Sequence, residues 1–140
     1  MLPVRLVIDT NIVVSAVLKP EGLQRTVLLI ALTKPALFYT SGAILDEYGK
    51  VLARRALKIR KGLRLQFLQL IRNRAHLIEP KRRLSVTRDP YDNIFVECAD
   101  AAGADYLVTG NQRHFPRFWK KTKIINAREF LDMAAPHLLS

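Results

Sequence analysis

Cysteine is nearly absent: Cys98 is the single one in 140 residues. That excludes a disulfide framework and any zinc site built on several cysteines. The residue falls inside Ile94-Phe95-Val96-Glu97-Cys98-Ala99, an apolar setting that reads as core. Histidine is scarce as well, and His76, His114 and His137 lie in unrelated segments, a poor basis for an imidazole-rich metal centre. With six glycines, the chain has no Gly-x-x-x-x-Gly-Lys loop and no Gly-x-Gly-x-x-Gly after its first strand. A Gly-x-Ser-x-Gly elbow is missing too. Nucleotide-driven and serine-hydrolase chemistry are disfavoured on those grounds. No apolar run approaches the roughly 18 residues needed to cross a bilayer, and Met1-Leu2-Pro3-Val4-Arg5 lacks the shape of a signal peptide. A reducing cytoplasm, with no membrane partner, is the expected location.

Acidic residues are also few: 12, against 23 lysines and arginines, for a net charge of +11. The excess is concentrated. Lys50 to Arg88 holds thirteen basic residues and one acid, Glu79, while Gln112 to Lys123 holds five basic residues and no acid. Such patches suit a polyanion, since neutralising phosphates releases condensed counterions; a solvated basic face that aids solubility is the plainer alternative. Hydrophobic residues make up 49%, with six Phe, four Tyr and one Trp, which speaks against disorder. The length is that of one domain, spanning residues 1–140.

Along the chain, short apolar runs alternate with helical patterns. Val4–Ile8 is a continuous, β-branched run that reads as a buried strand. Helical segments follow over 11–18 and 24–32, interrupted at Lys19-Pro20-Glu21-Gly22. Leu37–Thr40 predicts a strand, and Ser41 an N-cap for a helix from Gly42 to about Ala56. A further helix over 62–74 completes a hairpin, about 42–74, that is basic outside and leucine-rich inside. Weak strand character at 76–78, a loop over 82–88, a helix over 91–102 stopped by Gly103, strands at 105–109 and 124–125, and a helix over 127–134 follow. This alternation predicts an α/β fold: a three-layer α/β/α sandwich around a mostly parallel sheet.

In a parallel sheet the carboxyl ends of the strands share one edge, where ligands bind. Three acidic motifs fall there. Asp9 ends the most apolar strand; it either caps the next helix or is a carboxylate placed for a cation. Thr10 and Asn11 either orient Asp9 or form the turn. Glu47 lies beside the apolar face formed by Leu45, Tyr48, Val51 and Leu52, whereas Asp46 faces solvent. Asp89 and Asp92 bracket Pro90, with Asp92 in the first turn of a helix, where an anion is favoured. Thr109-Gly110-Asn111 ends a later strand, and His114 follows. Clustered carboxylates repel one another and call for a cation; an oxygen-rich, histidine-poor set favours Mg²⁺ or Mn²⁺ over Zn²⁺.

Taken in order, Val7-Ile8-Asp9-Thr10-Asn11, Ser41 with Glu47-Tyr48, Asp89-Pro90-Tyr91-Asp92-Asn93, and Gly103 through Asn111 with His114-Phe115-Pro116 resemble the PIN domain, in its VapC-like toxin branch. The resemblance covers about residues 4 to 132. It implies a compact α/β/α nuclease and Mg²⁺- or Mn²⁺-dependent cleavage of RNA, with Asp9, Glu47 and Asp92 as catalytic, metal-holding acids. Thr10, Asn11, Ser41, Asp89, Thr109 and Asn111 would support them, and Arg88, Arg113, His114, Lys120 and Lys121 would hold the RNA. It further implies a homodimer and an antitoxin protein, both engaged through the hairpin. Where the branch often has a fourth acid, this chain offers Asn111 and His114, which leaves a second metal position short of a carboxylate. Two other functions stand beside the ribonuclease: an RNA-binding or protein-interaction module with weak catalysis, and a structure-specific DNA nuclease.

Overall fold

The computed structural model describes residues 3–139, with side chains through Ala134. Six strands, β1 (Arg5–Ile8), β2 (Leu37–Thr40), β3 (His76–Leu77), β4 (Tyr106–Val108), β5 (Phe118–Trp119) and β6 (Thr122–Ile125), form one sheet in the order β3-β2-β1-β4-β6-β5. All neighbours run parallel except the short β5, which pairs antiparallel with β6. Six helices cover it: α1 (Thr10–Leu18), α2 (Leu23–Ala31), α3 (Gly42–Leu52), α4 (Lys61–Arg74), α5 (Asn93–Ala102) and α6 (Ala127–Leu139). The α/β/α architecture expected from the alternation is the one observed.

β1 is central because Leu6, Val7 and Ile8 are wholly buried; a strand covered on both faces reads as a continuous apolar run. The chain steps from β1 through β2 to β3 in one direction, then returns to β4 on the other side of β1. Right-handed crossovers therefore put α5 on the face opposite the helices before it. α5 packs on β1, β2 and β4, while α1 packs on α2 and α3, α2 on α6, and α3 on α4. The reversal makes the carboxyl ends of β1 and β4 a topological switch point, the crevice where ligands bind in open α/β sheets.

Local chemistry sets the boundaries. Ser41 caps α3, its Oγ accepting the Ile44 N–H at 3.2 Å. Gly103 ends α5 in the left-handed region at φ 58°, which a residue without Cβ adopts freely. Three expectations are corrected. α3 stops at Leu52 rather than near Ala56, and a 3₁₀ turn at Arg55–Leu57 replaces its last residues. The helix expected from Tyr91 begins at Asn93, because Pro90–Asp92 forms a separate 3₁₀ turn. β5 and the 3₁₀ turn Gln112–His114 lie where the sequence pattern assigns no element; β5 is two residues long and exists through its pairing with β6, which no local pattern signals. α6 also runs past Ala134, to Leu139.

Candidate active site

A cleft of about 360 Å³ opens at the carboxyl edge of the sheet. Asp9 leaves β1, Glu47 comes from α3, and Asp92 precedes α5; all three line the cleft, together with Thr10, Asn11 and Asn111. Residues far apart in sequence meet there because every strand delivers its following segment to the same edge.

Asp9 is the most constrained of the acids. Its backbone N–H bonds to Val108 O at 2.9 Å, continuing the β1–β4 ladder one residue beyond the strand. Its Oδ1 accepts the Thr10 N–H at 2.7 Å; its Oδ2 accepts the Thr109 hydroxyl at 2.7 Å and the Asn11 amide at 3.2 Å. Asn11 Oδ1 in turn accepts the Gly110 N–H at 3.0 Å, and Thr109 Oγ1 accepts the Asn111 N–H at 3.0 Å. A Cβ on Gly110 would stand 3.3 Å from Asn11 Oδ1, so the close approach favours glycine. The carboxylate is thus held across the switch point by the segments that follow β1 and β4. The buried hydroxyl of Tyr48 donates to Ile8 O, fixing α3 against the end of β1 one residue before Asp9.

Burial dominates the electrostatics. Asp9 is 4% exposed, and its pKa is pushed up to about 6, chiefly by desolvation and further by the charges of Asp92 and Glu47; the bonds from Thr109 and Thr10 pull the other way and do not compensate. Asp92 is raised by burial and by the Asp89 carboxylate, an effect opposed by His114, whose Nδ1 lies 3.5 Å from Asp92 Oδ2, and reinforced by Glu47. The three acids therefore share one field, as separate surface carboxylates would not.

The other residues singled out from the sequence fall into two groups. Asp89 caps the turn before α5, accepting the Tyr91 N–H at 3.1 Å, and Thr109 lies behind Asp9. Ser41 serves α3 as its cap and lines a neighbouring cleft with Glu79, Arg83 and Glu97 rather than the acidic one. Arg88 and Arg113 are exposed and outside the cleft lining; the Arg88 N–H bonds to His114 O at 2.8 Å, tying their two loops together. Lys120 and Lys121 are not brought to the site. Lys120 Nζ sits 2.9 Å from Asp100 and Lys121 Nζ 3.5 Å from Asp105. Asp105 precedes β4 and Asp100 is near the end of α5, so both lysines belong to the opposite edge of the sheet. A basic cluster in sequence carries no information about which edge receives it.

The roles of three residues escaped sequence reasoning. Arg54 and Leu57, from the connection after α3, line the cleft. Asn93, buried, has an Oδ1 that accepts from the Val86 N–H, the Thr87 N–H and the Thr87 hydroxyl, at 3.0, 3.0 and 2.9 Å. It locks the loop before Asp89 onto α5. Asn93→Ala leaves those donors unpaired, and we expect a stability loss of about 2–4 kcal/mol from the desolvation of partly buried polar groups. Urea unfolding monitored by circular dichroism checks this.

A family model described as PIN domain matches residues 5–113. The chain belongs to the PIN-domain family. The PIN domain is also 32% identical over 115 residues to the uncharacterized protein MJ1680 of Methanocaldococcus jannaschii, covering 78% of this chain and 72% of that one. In fold it is similar to a chain in the crystal structure of VapBC2 from Rickettsia felis bound to a DNA fragment from their promoter. That match has a TM-score of 0.58 at 18% identity, over 87% of this chain and 98% of the other. PIN domains are in general nucleases that use divalent ions, so the fit of this PIN domain's donor set to such an ion matters. Among the described residues no three His, Cys, Asp or Glu side chains close into a metal-binding cluster. The cleft is accordingly an open set of carboxylate oxygens rather than a preformed cage. Such a set suits a small hard cation that keeps several of its waters and takes one or two carboxylates. Two details agree: no lysine or arginine forms an ion pair with Asp9 among the described residues, and the buried Thr10 hydroxyl in the cleft lining has no hydrogen-bond partner.

Proposed function

We propose that this PIN domain is a Mg²⁺- or Mn²⁺-dependent endoribonuclease acting as the toxin of a toxin–antitoxin pair in the cytoplasm. The observation that carries the reading is the convergence of Asp9, Glu47 and Asp92, from three separate elements, on one cleft at the switch point. Asp9 and Asp92 would hold the metal, with Glu47 beside them as a further ligand or as the group that orients the attacking water. When bound, the metal supplies charge for the phosphate oxygens and lowers the pKa of water. The chain's own groups do the rest. Thr109, Thr10 and Asn11 fix the direction of the Asp9 carboxylate, so little reorganisation is left for the reaction. His114, with its Nδ1 3.5 Å from Asp92 Oδ2, favours the charged form of that carboxylate. Val14, Val51 and Phe95 give the cleft apolar walls against which ribose and base exclude water.

The family and the fold shared with a chain of VapBC2 support a protein antitoxin as partner; a homodimer is the assembled state proposed with it. The α3–α4 hairpin is the element proposed to carry both contacts; Leu65 on α4 is 46% exposed, beside exposed amides (Gln66, Gln69, Asn73) and cations (Lys61, Arg72, Arg74). Expression of the chain alone in a bacterial host should arrest growth within a few generations and leave new 5′ ends in total RNA. Glu47→Gln should abolish both effects at equal protein level. Arrest by the Glu47→Gln protein, or arrest without RNA fragments, would remove the reading.

A further inference from the structure

One wall of the acidic cleft is not made by the sheet or its helices. It comes from the connection between α3 and α4, which places Arg54 and Leu57 in the lining. The backbone there is set locally. The Arg54 N–H bonds to Val51 O at 3.1 Å, the Arg55–Leu57 turn follows, and Lys58 adopts the left-handed region at φ 54°. Arg54 is the single cationic residue lining a cleft that holds three carboxylates. It makes no ion pair with any of them among the described residues, and it is an exposed residue. Three other basic side chains are committed elsewhere: Arg82 and Lys120 to Asp100, Lys121 to Asp105. An arginine that lines an anionic cleft yet makes no ion pair with its acids is available for a further anion, and its planar fork matches the two free oxygens of a phosphodiester.

We propose that Arg54 is a substrate-positioning residue: it grips a phosphate of a single-stranded RNA threaded through the cleft, setting which linkage lies against the acids. The proposal rests on the ribonuclease reading and adds to it a specific residue and a specific RNA group. A duplex presents its phosphates on a wide cylinder, whereas a single strand can enter a cleft this size with one phosphate on Arg54 and the next near Asp9 and Asp92. Arg54 would act through binding, and its removal should be felt in KM more than in kcat.

The test uses the whole chain and a short fluorescein-labelled single-stranded RNA of mixed sequence. Binding is measured in EDTA across a salt series and cleavage in Mn²⁺, for wild type, Arg54→Ala, Arg54→Lys and, as a control, Lys19→Ala, an exposed cation past the end of α1 away from the cleft. Loss of one charged phosphate contact should weaken binding and raise KM roughly 10- to 100-fold, as for a charge-assisted hydrogen bond, with kcat within about threefold of wild type. The log–log salt slope should fall by about 0.7, the value for one phosphate on a single strand. Arg54→Lys should recover part of the affinity and all of the slope. Lys19→Ala should change little. If Arg54→Ala matches Lys19→Ala in KM and slope while wild type binds and cleaves, the Arg54 assignment is wrong and the ribonuclease reading stands. If wild type neither binds nor cleaves the RNA, both fall together.

Discussion

Asp92→Asn should reduce RNA cleavage by at least 10²–10³-fold, the scale set by removing one group that stabilises transition-state charge. The fold should be untouched. Asp92 makes no capping bond to α5, and its one ion-pair partner among the described residues, His114, is partly exposed. The substitution keeps the size of the side chain and removes a charge that burial and Asp89 already disfavour. Melting temperature without metal should therefore stay level or rise. A loss of activity accompanied by a large drop in stability would point instead to a structural role for the carboxylate.

Asp9→Asn should make the metal-free protein more stable at pH 8, by about 2–3 kcal/mol, with no difference near pH 4. The sign follows from the direction in which burial moves the carboxyl. Asp9 titrates at about 6 in the folded chain, against an ordinary value of 3.8. Between those values the folded chain binds more protons than the unfolded one, so stability falls as pH rises through this window and stays low above it. A pKa difference of one corresponds to about 1.4 kcal/mol, and the asparagine escapes that penalty. Its Oδ1 can still accept from Thr10 or Thr109 but not serve every donor, which trims the gain. Thermal melts in EDTA from pH 4 to pH 8 check it. A divalent ion should reverse the ranking, stabilising wild type above pH 6 and leaving Asp9→Asn unmoved, because binding must displace the Asp9 proton. Equal pH profiles for the two proteins in EDTA would mean that the Asp9 carboxylate is solvated and ordinary.

Much of this was legible in the sequence because the decisive signals are local. Leu6-Val7-Ile8 declares a buried strand by its unbroken apolar run, and the residue after such a strand must lie at the carboxyl edge, which fixes Asp9. Pro90 and the flanking acids mark the turn before α5 in the same way. Illegible features depend on what the chain meets at long range. β5 exists because β6 lies beside it. Lys120 and Lys121 look like part of an RNA-binding surface until the β6 pairing sends them to the edge occupied by Asp100 and Asp105. Asn93 looks like one more residue of a helix start; its role is visible only when the 84–87 loop folds over it. Arg54 is one of thirteen basic residues from Lys50 to Arg88, and nothing in that composition distinguishes the one that lines the acidic cleft.

The most direct test of the central claim is cleavage of a mixed RNA pool by the purified wild-type protein in Mg²⁺, in Mn²⁺ and in EDTA, read by sequencing the product ends. Discrete new ends that appear with either metal and vanish in EDTA are the predicted result. A well-folded protein that produces no ends in any condition, or the same ends in EDTA, would contradict a metal-dependent ribonuclease built on Asp9, Glu47 and Asp92.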